Sequence, residues 1–155
     1  MKANYEILNS KQVKDLIEKL TEQYGAVPAN FKEHGFIRGK DNIYLITKDL
    51  ALANLEGLRV NNLGLYIAEY KLEKNQARLS IEGSQIIGPV ATKNVCELDI
   101  EQRAEWMRGN DIEINGEFSG YVIIKCGTDF LGTGRYKEGK ILNHVPKARR
   151  LLEMH

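Results

Sequence analysis

The sequence predicts an α+β protein, with a small N-terminal α/β region followed by a C-terminal β-barrel or sandwich. A strong amphipathic helix lies near the start of the chain, and hairpin texture follows it. From Ile112 onward, short apolar runs are cut by glycine-bearing turns. Strand-length runs punctuated in this way mark a small barrel or sandwich. The chain has 155 residues, 43% hydrophobic and 28% charged, which suits one folded domain or two very small ones.

The helix is read from Val13, Leu16, Ile17, Leu20 and Tyr24, which recur at helical spacing behind Ser10 as N-cap. Gly25 and Pro28 stop it. Phe36–Arg38 and Ile43–Thr47 form a hairpin around Gly39-Lys40-Asp41-Asn42. Lys48–Leu55 predicts a short helix, Leu58–Asn61 and Gly64–Leu72 predict strands, and residues 73–76 predict an exposed turn. Ala77–Ile87 is ambiguous because Gly83 interrupts it, and Gly88-Pro89 is the best candidate boundary. A second helix starts near Asp99, carries Trp106 and stops at Gly109. The barrel strands are Ile112–Ile114, Gly120–Cys126, Phe130–Tyr136 and Lys140–Val145.

Several classes are excluded. No run approaches the 18 or so apolar residues of a membrane span, and Met1–Ser10 lacks the apolar core of a signal peptide. Cys96 and Cys126 are too few for a disulfide framework, and His34, His144 and His155 are too scattered for a zinc site. The expectation is a cytoplasmic protein that folds without metal or other cofactor.

Catalytic motifs also fail on inspection. Gly132-Thr133-Gly134 lacks the third glycine of a dinucleotide fingerprint, because Lys137 stands there. A phosphate loop started at Gly127 has Thr133 where its lysine belongs. A close-packed β segment is the simpler account of these glycines. Neither cysteine has a partner that would favour its thiolate, so both read as buried structural residues. Glu101 and Glu105 share one helix face beside Arg103 and Arg108, which describes a solvated surface.

Charge is uneven along the chain. Residues 135–155 hold Arg135, Lys137, Lys140, Lys147, Arg149 and Arg150 against Glu138 and Glu153, for +4. The remaining residues carry −3, so the overall +1 hides a basic end. Interleaved Asn143, His144, Tyr136, Gly134 and Gly139 supply groups for base or ribose contact and for close backbone approach. Charge alone does not separate RNA from DNA or from an acidic protein.

At these residues the sequence resembles a known domain. The segments Arg103–Asn110, Gly120–Lys125, Phe130–Lys137 and Gly139–Arg150 resemble the PUA-like RNA-binding domain appended to Sun/Fmu RNA 5-methylcytosine methyltransferases. Gly132, Gly134, Asn143, Pro146, Lys147, Arg149 and Arg150 match the pattern. Leu142 and Val145 depart from it, standing where that form has lysine and tyrosine. The resemblance covers residues 98–151. Residues 1–92 resemble the pre-PUA α/β domain of Nip-seven-like ribosome-biogenesis proteins, which sets the expected domains at 1–92 and 93–155.

The resemblance implies RNA binding without chemistry, since neither a cofactor glycine loop nor a Pro-Cys or Thr-Cys pair is present. The implied RNA-binding residues are Gly132, Gly134, Arg135, Lys137, Lys140, Asn143, His144, Lys147, Arg149 and Arg150. The expected function is that of a stand-alone, non-enzymatic RNA-binding protein in rRNA or tRNA modification or ribosome biogenesis. A separately encoded RNA methyltransferase or ribosome-assembly protein is the implied protein partner, with no membrane role. The rivals are an RNA-modifying enzyme and a protein–protein adaptor or accessory subunit of such a methyltransferase.

Overall fold

The computed structural model of the chain describes residues 5–46, 64–71 and 76–144. The expected helix at 48–55, the expected strand at 58–61, and Lys147, Arg149 and Arg150 lie outside the described residues.

The first half is an antiparallel meander with one long helix against it. Its strands are β1 (Tyr5–Ile7), β2 (Gly35–Gly39), β3 (Asn42–Ile46), β4 (Leu65–Lys71) and β5 (Gln76–Leu79), paired in that order. Helix α1 (Ser10–Tyr24) buries Leu16, Leu20 and Tyr24. Its cap is Asn9 rather than Ser10. The Asn9 side chain accepts from the Gln12 amide, and the Gln12 side chain accepts from the Asn9 amide, both at 2.9 Å. This reciprocal box satisfies two donors that would otherwise lack helical partners. Gly25, at φ +89°, ends the helix in the left-handed region glycine tolerates.

The ambiguous stretch resolves into β5 followed by helix α2 (Ile81–Ile87), capped by Ser80. Gly83 does not break this helix. A side chain there would collide with the Ile67 carbonyl of β4, so glycine allows α2 to lie against the strand backbone. A 3-10 turn at Gly88–Val90 continues from α2, and Gly88 makes room for the Phe130 ring.

The second sheet contains β6 (Val95–Glu97), β7 (Ile112–Glu113), β8 (Tyr121–Cys126), β9 (Asp129–Lys137) and β10 (Lys140–Asn143). Their order is β6-β8-β9-β10-β7, and β6 runs parallel to β8. The expected barrel is therefore a curled half-barrel, whose edge strands β6 and β7 do not pair with each other. Helix α3 (Ile100–Met107) has a capping box between Asp99 and Gln102. It sends Trp106, fully buried, into a core with Val122, Ile124 and Ile141.

The two sheets share a boundary made of both polar and apolar contacts. Ile123 of β8 belongs to the same apolar cluster as Leu20, Phe36 and Leu79 of the first half. The Tyr24 hydroxyl donates to the Tyr121 carbonyl at 3.0 Å, and the Gln23 amide donates to Ser119 and Tyr121 carbonyls at 2.8 and 2.9 Å. Burial, followed by the neighbouring Tyr121, pushes the Tyr24 phenol well above its usual range. It stays a neutral donor.

Candidate nucleic-acid interface

Of the basic residues singled out in the sequence, Arg135, Lys137 and Lys140 sit on the β9–β10 hairpin. Glu138 and Gly139 both have positive φ, +48° and +80°, and this sets the tight reversal. The register pairs Lys137 with Lys140, Arg135 with Leu142 and Gly134 with Asn143. Arg135, Lys137, Lys140 and His144 are exposed. Two like charges directly opposite on a hairpin repel, so the Lys137–Lys140 pair costs stability while it presents positive charge.

Gly132, Thr133 and Gly134 are buried, which matches the close-packed segment expected from the failed nucleotide motifs. The Gly132 amide donates to the Ser84 hydroxyl, and the Thr133 hydroxyl donates to the Leu79 carbonyl, both at 2.9 Å. A Cβ on Gly134 would lie 2.5 Å from both Ile141 and Trp106. These glycines let α2 and the Trp106 ring approach β9.

Asn143 is committed in the same way. Its side-chain amide donates to the Trp106 carbonyl at 2.7 Å and to the Asn110 carbonyl at 3.0 Å. Its backbone amide donates to Asp111 at 2.8 Å. The residue ties the end of α3 to β10.

His144 faces a different neighbourhood. Its ring meets Tyr121 edge-on, with centroids 5.9 Å apart. Lost solvation, then the charges of Arg78 and Arg135, hold its pKa below the ordinary 6.5, against weaker opposing effects of Asp111 and Glu69. The imidazole is neutral at pH 7. Two cations from different sheets, Arg78 on β5 and Arg135 on β9, thus converge on this ring. Sequence reading missed Arg78 and Tyr121 because only the tertiary fold brings them to His144. Alternation within Gln76–Leu79, with Ala77 and Leu79 buried, does mark Arg78 as outward-facing.

The remaining reactive groups are occupied or suppressed. Burial, then Glu97, pushes the Cys96 thiol up to about 11, which disfavours the nucleophilic thiolate. The Gly127 amide donates to the Glu97 carboxylate at 3.0 Å, so an acid already fills the place where a phosphate loop would hold its ligand. Glu105 is braced by Arg108 at 3.0 Å and by Asn110 at 2.6 Å. Among the described residues no cluster of His, Cys, Asp and Glu could hold a metal ion.

Residues 93–151 match the family model described as the methyltransferase RsmF PUA domain. This region matches a PUA-like domain of the RsmF type. The PUA-like domain holds the whole second sheet with α3, including the basic hairpin. Two curated relatives, each a ribosomal RNA small subunit methyltransferase F from a strain of Vibrio cholerae serotype O1, are 29% identical to the chain over 91 residues. The alignment covers 58% of this chain and 19% of the relative, so the chain spans about a fifth of those proteins' length. Among the described residues no helix is long and apolar enough to cross a membrane.

Proposed function

We propose that the chain binds RNA through its PUA-like domain, as a non-enzymatic, stand-alone factor in rRNA or tRNA modification. The observation that carries this reading is the β9–β10 hairpin. Its inward residues are spent on packing, while Arg135, Lys137 and Lys140 project outward without an ion-pair partner among the described residues. Outward cations on a rigid hairpin supply phosphate contacts. Lys147, Arg149 and Arg150 continue the same charge along the chain. Gly132, Gly134 and Asn143 then serve as the frame that aims these side chains, with residues 93–155 as the RNA-binding unit and 1–92 as a pre-PUA-like unit braced against it.

A second reading, a docking surface for a methyltransferase or ribosome-assembly protein, is favoured by one observation. Ile100 is 81% exposed at the start of α3, beside Glu97, Asp99 and Glu101. The two readings use opposite charge and are separable. Titration of the chain into labelled small-subunit rRNA fragments and tRNA tests the first. Binding that weakens steeply as salt rises supports it, and no RNA binding at low salt overturns it. Methyl transfer to RNA by the pure chain supplied with a methyl donor would overturn the non-enzymatic assignment.

A further inference from the structure

The N-terminal sheet presents its own aromatic and basic row beside His144. Ala68 and Tyr70 of β4 and Ala77 and Leu79 of β5 pack in the core shared with α1, so the alternate residues Glu69 and Arg78 face the other way. Tyr66 would alternate to the buried side. A bulge prevents this, because Ile43 pairs with Ala68 while Tyr44 pairs with Tyr66, which leaves Ile67 as an extra residue. The bulge turns Tyr66 onto the face of Glu69 and Arg78, the kind of re-aiming for which bulges recur at functional places.

There the Tyr44 and Tyr66 rings lie 5.7 Å apart, tilted by 46°, and both side chains are half-buried. The Arg78 guanidinium reaches the Tyr66 phenol. Glu69 divides itself between Arg78 at 3.6 Å and Lys71 at 3.7 Å, so the row keeps a positive excess. Arg78 is also the residue that joins this row to His144, Tyr121 and Arg135 of the second sheet.

We propose that the RNA path crosses the junction between the sheets, with unpaired bases stacking on Tyr44 and Tyr66 and with Arg78 meeting the phosphate that links them to the β9–β10 hairpin. The proposal rests on the RNA-binding reading above, and it makes single-stranded RNA the ligand of the row. Paired rings accept any base by stacking, and an arginine beside them holds the backbone. A rigid duplex would present only phosphates to this row and leave the rings unused.

The test compares two probes on the full chain: an unstructured oligoribonucleotide of about ten nucleotides and heparin, which has charge but no bases. A Tyr44→Leu/Tyr66→Leu variant should bind the oligoribonucleotide more weakly by at least about five- to 150-fold, the range for loss of a single stacked base. Its heparin affinity should match the parent, and Tyr66→Phe, which keeps the ring, should bind RNA as the parent does. Parent-like RNA affinity in the leucine pair overturns the extended path and leaves the hairpin reading standing. An equal loss on both probes also overturns it, because the rings would then not be reading bases. A parent that binds no RNA sinks the underlying reading instead. If the leucine pair does not fold, Arg78→Gln decides: it should flatten the log–log salt slope on the oligoribonucleotide by about 0.7, and an unchanged slope overturns the path.

Discussion

The two sheets bury their cores by different means. The N-terminal meander lays large side chains of a long helix, Leu16, Leu20 and Tyr24, onto one face. The half-barrel uses a short helix with one large side chain, Trp106, and thins strand β9 to Gly132 and Gly134 so that its neighbours can come close. The first solution spreads its burial over many large side chains. The second concentrates its stability in a few, and those few lie directly behind the candidate RNA-binding residues. In β9 and β10, residues that look like ligand-binding glycine and amide groups are consumed by packing, and the proposed RNA contacts fall to the side chains that alternate with them.

The largest expected effect tests that concentration. Trp106→Ala removes a fully buried indole and should cost about 3–5 kcal/mol in denaturant unfolding. A loss under about 0.5 kcal/mol, the range of surface changes, would show that the half-barrel spreads its stability as the meander does. Gly134→Ala comes next. The added methyl meets Ile141, Trp106 and the Leu142 carbonyl at 2.5–2.6 Å, and overpacking of this kind costs about 1–3 kcal/mol. Stability equal to the parent would reopen a ligand role for that glycine.

Asn143→Ala separates frame from ligand. It removes the donor to the Trp106 and Asn110 carbonyls and should destabilise by about 1–3 kcal/mol, while the ranking of RNA sequences stays that of the parent. A changed ranking at unchanged stability would return Asn143 to the RNA-contacting set. His144 gives a smaller, pH-dependent effect. Its folded pKa lies below the ordinary value, so the unfolded chain takes up the proton first and stability declines as pH falls through and below 6.5. A phosphate bound beside Arg78 and Arg135 would offset their charge and raise that pKa, so RNA affinity should increase over the same interval. Imidazole titration by NMR, with and without RNA, reads both signs.

What the sequence could carry follows from range. Helix α1 was legible because its stripe repeats within one segment, although the cap was misplaced by one residue: Ser10 is as good a capping residue as Asn9, and only the Gln12 box decides. The β9–β10 turn was legible from Glu138-Gly139. Strands β1 and β6 were not, because three residues show no alternation and each is defined by a partner far along the chain. The site divides in the same way. Exposed Arg135, Lys137 and Lys140 followed from charge, whereas the packing duties of Gly132, Gly134 and Asn143 needed Ser84, Trp106 and Asn110 in place.

The measurement closest to the central claim is the salt dependence of RNA binding by an Arg135→Gln/Lys137→Gln/Lys140→Gln variant beside the parent. All three side chains are exposed, so the variant should stay within about 1.5 kcal/mol of the parent in stability, at about 0.5 per surface substitution. With one phosphate lost per cation, the log–log slope on single-stranded RNA should flatten by about 2.1, from a coefficient of about 0.7 per contact. A folded variant whose slope and affinity equal those of the parent would contradict an RNA-binding role for the hairpin.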